Sequence, residues 1–179
     1  MPLIERRTFL TTALAGLPTS VLAQPSRRQI AKVGNGDDRL IEPHTVGVST
    51  TAFKVLTEES NGALFTMENR MTRKGGPPRH LHHAQDEWFY VIEGDFIAEI
   101  GDHRFRLSPG ESILGPREVP HAYAFIGSTV GRLLIAYAPA GQMEAFFRGR
   151  TEGAQYSTDA ERYRAFGMEL LGPPLTIEP

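Results

Sequence analysis

Cysteine is absent from all 179 residues. That excludes disulfides, thiolate metal sites and cysteine nucleophiles, and leaves histidine, carboxylate and water as metal donors. Blocks of one charge sign are absent too: 19 Lys plus Arg stand against 21 Asp plus Glu, a formal net charge of −2, so no footprint for nucleic acid or an anionic membrane is present. No apolar stretch reaches the roughly 20 residues that a membrane span needs. Gly-x-Ser-x-Gly, His-Glu-x-x-His, Walker and kinase elements are all missing, which removes hydrolase and phosphoryl-transfer readings. The Gly-x-Gly at Gly34-Asn35-Gly36 follows no strand and has no third glycine at dinucleotide spacing. What remains, 40% hydrophobic and 22% charged residues, is the composition of one globular core that meets a small molecule.

The first 23 residues read as a targeting segment. Arg6-Arg7 precede Phe9-Leu10 and a moderately apolar run, and Val21-Leu22-Ala23 places small residues where a signal peptidase reads them. The pattern resembles a twin-arginine export signal. The expectation is a periplasmic protein that starts at Gln24, with no membrane attachment in its mature form. Residues 24–45 are polar and turn-rich, a linker or loosely attached arm.

From residue 46 to 139 the chain is a series of short β-prone runs with almost no helical periodicity. Strands are expected over 46–56, 63–69, 87–92, 96–100, 103–107, 111–114, 121–125 and 133–137. Gly94-Asp95 and Gly101-Asp102 supply tight hairpin turns and hence antiparallel pairing. The fold class is all-β: a sandwich, jelly roll or barrel. Residues 140–179 change character. Apolar residues at helical spacing over 143–148 and 159–171 predict two short helices outside the barrel, the second stopped by Gly172-Pro173-Pro174.

His80 and His82 are two apart, so on a strand their imidazoles share one face. Glu87 is five past His82, an odd separation, so a turn at Ala84-Gln85-Asp86 has to reverse the chain before it joins them. On its own strand Glu87 then faces inward with Phe89 and Val91, while Trp88, Tyr90 and Ile92 face out. His121 follows Pro116-Arg117-Glu118-Val119-Pro120, whose prolines stiffen its approach. Three imidazoles and one carboxylate suit one divalent transition ion, Fe, Mn, Ni, Co, Cu or Zn, with coordination positions left for water, oxygen or substrate.

These residues resemble the two motifs of the cupin superfamily. His80, His82, Glu87 and Gly94 stand in the register of the first motif, with Gly75 one residue off the usual leading glycine. Pro109, Gly110, Pro116, Pro120 and His121 match the second, where Phe125 replaces a common Asn. The tail from Ala165 to Leu175 is similar to small bacterial single-domain cupins of the quercetin 2,3-dioxygenase-like kind. The resemblance implies an antiparallel cupin β-barrel (double-stranded β-helix or jelly roll) and His80, His82, Glu87 and His121 as metal ligands. It also implies a dioxygenase acting with O2 on a phenolic, flavonol-like or enediol molecule, with Glu87 as ligand and base. The superfamily also hosts isomerases, decarboxylases and non-catalytic binders, and those alternatives stay open.

By parity with the ligands, Phe65, Phe89, Val91, Tyr123 and Phe125 are expected in the substrate pocket or core. His83 is expected outside, His44 and His103 solvated, and Arg79 at the barrel mouth. Outward Trp88 and Tyr90 suggest a homodimer contact.

Overall fold

The computed structural model describes residues 31–41, 44–148, 156 and 158–177. The expected export signal at residues 1–23 lies outside them. Eleven strands and two short helices follow in the order β1 (His44–Val46), β2 (Ser49–Val55), β3 (Phe65–Met71), β4 (Pro78–His82), β5 (Asp86–Glu93), β6 (Phe96–Ile100), β7 (His103–Leu107), β8 (Ser112–Gly115), β9 (His121–Phe125), β10 (Gly131–Ala138), α1 (Met143–Phe147), α2 (Ala160–Ala165) and β11 (Met168–Pro174). One sheet has the order β1-β2-β3-β10-β5-β8 and the other β11-β4-β9-β6-β7, with antiparallel pairing throughout, which is the jelly-roll arrangement expected.

Strict alternation fixes the register. In β5, Glu87, Phe89 and Val91 are buried and Trp88, Tyr90 and Ile92 are partly exposed; in β10, Leu133, Ile135 and Tyr137 point into the same interior. A one-residue slip would turn each set outward. Phe53, Phe65, Met67, Phe89, Phe96 and Phe125 fill the space between the sheets, each burial contributing about 1.5–3 kcal/mol. Phe125 nests among Gly94, Gly127 and Gly131, where an added Cβ would strike its ring.

Three expectations need correction. The second helix ends at Ala165, not Leu171, because Gly167 takes the left-handed conformation (φ 75°) and its amide returns to the Arg164 carbonyl at 3.1 Å. Leu170 and Leu171 then lie in β11, which pairs with β4 in the register Met168↔His82 and Leu170↔His80. Gly172, Pro173 and Pro174 are part of that edge strand, where proline's missing donor is tolerated.

The arm is tied down over its described part. The Arg39 amide reaches the Phe53 carbonyl (2.9 Å), Lys54 Nζ the Asp37 carbonyl (2.8 Å) and Arg132 the Asn35 side chain (2.6 Å). His44 is buried rather than solvated, its ring stacked on Phe53 at 4.3 Å between centroids.

Candidate metal centre

The two sheets deliver the four expected residues to one point. His80 and His82 project from β4, and His121 opens β9 opposite His80. Glu87 crosses from β5 of the other sheet after a bend at 83–85. The loop before His121 docks on β4 through the Glu118 amide, which donates to the His82 carbonyl at 2.8 Å; Glu118 takes φ 63° to do so. Gly115, the register partner of Glu87 on β8, leaves room for the neighbouring imidazole: a Cβ there would lie 3.1 Å from His121 Nδ1.

All four side chains are buried, and one ligand atom from each lies within 4.8 Å of the others. The Nε2 atoms of His121, His82 and His80 stand 2.9, 3.1 and 3.8 Å from Glu87 Oε2. Donors bound side by side on one ion at about 2.0–2.2 Å are themselves about 3 Å apart, so the spacing fits a shared metal.

Tautomers agree with that fit. His80 Nδ1 meets the Pro78 carbonyl at 2.8 Å and His121 Nδ1 the Val119 carbonyl at 2.9 Å. A carbonyl only accepts, so each Nδ1 carries a proton and each Nε2 is left facing the Glu87 carboxylate, to donate to its oxygen or, once deprotonated, to give its lone pair to an ion. A divalent cation among them would take the place of the Nε2 protons that otherwise meet Glu87. Burial, then the charges of His121 and His82, lower His80 to about 3 and keep it neutral as a ligand must be. For Glu87, burial favours the protonated form, but the contacts of His121 and His82 outweigh it and hold the carboxyl well below the usual range.

Above the centre is a cavity lined by Val46, Met67, Met143, Phe146, Phe147 and Tyr163 among others, with His80, His82 and Glu87 in its wall. Of the expected lining residues, Tyr123 is there. Phe65, Phe89, Val91 and Phe125 are not: they are fully buried core, because inward parity alone does not separate side chains that border the cavity from those covered by others. Much of the lining comes instead from α1, α2 and β11. A hydrogen-bond chain runs along one wall from Thr51 Oγ1 to Asn69 Oδ1 (2.8 Å) and from Asn69 Nδ2 to the Tyr123 hydroxyl (2.8 Å).

Tyr137 was not singled out from sequence. Its hydroxyl donates to Glu87 Oε1 at 2.8 Å, and burial, reinforced by the charge on Glu87, pushes its pKa well above the usual phenol value. Alternation with Leu133 and Ile135 on β10 was the available signal. His83 is exposed and pairs with Glu118 (3.2 Å), His103 is exposed, and Arg79 is engaged by Glu99 (3.1 Å). Trp88 and Tyr90 stack on the outer face at 5.8 Å.

The cupin domain family (Cupin_2) matches residues 69–137, a segment that holds all four convergent residues. The 3-hydroxyanthranilate 3,4-dioxygenase 2 of Aspergillus clavatus is 30% identical over 95 residues, 51% of this chain and 50% of that protein, so the chain spans half its length. Polyketide synthase CurC of Streptomyces cyaneus is 24% identical over 141 residues, 78% of this chain and 80% of that one. The structure of KdgF from Halomonas sp. superposes with a TM-score of 0.53 at 19% identity, covering 62% of this chain and 94% of that chain. At that identity the likeness concerns the fold.

Proposed function

We propose, from the premise that this chain belongs to the cupin superfamily, that it is a metal-dependent dioxygenase acting on a phenolic, flavonol-like or enediol small molecule. The observation that carries the reading is the convergence of one ring nitrogen from each of three buried imidazoles with Glu87 Oε2, beside an aromatic and thioether-lined cavity. The half-length likeness to a dioxygenase supports the oxygen chemistry.

His80, His82, Glu87 and His121 would hold the ion, which supplies a site for substrate oxygen and lowers its proton affinity. The remaining steps belong to the chain. Phe146, Phe147, Met143 and Tyr163 receive a flat apolar body and exclude water. Glu87 is placed to take the acidic hydroxyl's proton, and Tyr137 keeps one of its oxygens hydrogen-bonded meanwhile.

An oxygen electrode tests this. Protein loaded in turn with Fe, Mn, Ni, Co, Cu and Zn is offered flavonols, catechols and acireductone-like diketones. Uptake is expected with at least one pair, and Glu87→Gln is expected to abolish it while part of the metal stays bound. No uptake with any metal sinks the reading.

A second reading is an oxygen-independent isomerisation or decarboxylation of a small acid with Glu87 again as base; CurC, matched over more of this chain than the dioxygenase, is named a polyketide synthase rather than an oxygenase. Product formed under anaerobic conditions would favour it.

We also infer export to the periplasm from Arg6-Arg7 and the cleavage pattern before Gln24. N-terminal sequencing of periplasmic material is expected to begin at Gln24, and replacing both arginines by lysine should retain the longer precursor in the cytoplasm.

A further inference from the structure

Tyr137 and Glu87 are register partners on β10 and β5, so their side chains leave one sheet side by side. Both are buried, at 2% exposure. The tyrosine hydroxyl donates to Oε1 at 2.8 Å, while the three imidazole Nε2 atoms address Oε2. The phenol ring packs against Phe65, Phe147 and His82, with centroids 6.0, 6.1 and 5.5 Å away, and the hydrogen bond to Oε1 holds its hydroxyl on the carboxylate. One oxygen of Glu87 is thus occupied by a neutral donor and the other is presented to the histidines.

We propose that Tyr137 is a positioning residue that makes Glu87 a one-oxygen ligand, keeping the ion's remaining positions free for a substrate that binds through two adjacent oxygens. The inference rests on the metal-centre reading above and narrows its substrate class to catechols, enediols and hydroxy-ketones. Without the hydroxyl, Oε1 is a buried anionic oxygen with no donor, and the nearest positive charge is the ion. Glu87 then binds through both oxygens and takes a position the substrate needs.

The test uses cobalt(II) as the probe metal and 4-nitrocatechol as the probe ligand, on wild type, Tyr137→Phe and Phe65→Leu. The last perturbs packing against the Tyr137 ring without touching Glu87. Tyr137→Phe is expected to bind cobalt at wild-type stoichiometry with an altered visible ligand-field spectrum. Its 4-nitrocatechol binding should weaken roughly 10- to 100-fold, the scale for losing a ligand's hydrogen-bond partner. Phe65→Leu should lower thermal stability and leave the spectrum unchanged.

A wild-type spectrum in Tyr137→Phe overturns the proposal, and so does an equal spectral change in Phe65→Leu, which would assign the effect to packing. A changed spectrum in Tyr137→Phe alone, in a protein that consumes no oxygen, upholds Tyr137's role while the dioxygenase reading falls. A wild type that binds no cobalt removes both.

Discussion

His80 and His121 are opposed in register across β4 and β9, their ring centroids 4.9 Å apart. Each holds its Nδ1 proton on a carbonyl two residues back in its own chain, Pro78 and Val119. Local backbone therefore sets each tautomer, and the pairing of two strands sets the distance.

Replacing either histidine by alanine removes a donor while the opposite strand still presents the others. His80→Ala and His121→Ala are each expected to weaken metal binding by more than the roughly 10- to 100-fold that an outer-shell change costs. Competition titration followed by elemental analysis measures this.

Metal should also stabilise the fold by mass action. At a free concentration about 100 times Kd the gain is about 2.7 kcal/mol, and for a domain of this size Tm should rise by roughly 5–10 °C. Chelation should reverse the rise, and His121→Ala should show none. Differential scanning calorimetry reads both.

The assignment of Phe125 to the core has its own test. Phe125→Ala should cost about 3–5 kcal/mol in a denaturant melt, with metal stoichiometry unchanged. Phe147→Ala, at the cavity, should instead enlarge the range of ligands bound.

Glu144 anchors α1. Its Oε2 accepts from the Thr57 amide at 2.6 Å and its Oε1 from Arg148 Nε at 2.8 Å. Burial opposes ionisation here, but these contacts prevail and lower the carboxyl below its ordinary 4.5. Since the folded value is the lower one, the unfolded chain takes up the proton first. The contribution is then complete above pH about 4.5 and disappears as pH falls through the folded value. Glu144→Gln should cost about 1 kcal/mol at pH 7, with the gap in Tm closing in acid.

The four convergent residues were legible in the sequence because strand parity and proline placement are local rules. His80 and His82 had to share a face, and a bend had to precede Glu87. The positions of β6 and β7 were legible because glycine turns bound them closely, and that of β9 because Pro120 marks its start. Tyr137 was harder to find: its partner is 50 residues earlier and becomes a neighbour only when β10 enters between β3 and β5. The tail misled because Tyr163, Phe166, Leu170 and Leu171 satisfy helical spacing, and Gly167's left-handed turn outweighs that pattern. Phe65, Phe89, Val91 and Phe125 obey inward parity, but parity does not say which inward side chains border the cavity and which are covered by others.

Glu87 belongs to one sheet and the three histidines to the other, so the centre is a rivet through two plates. A ligand that draws Glu87 away from the histidines would loosen that fastening, and the cohesion of the two sheets would change with it. Resistance to proteolysis or to mechanical pulling should accordingly depend on which ligand occupies the cavity, even where no loop moves.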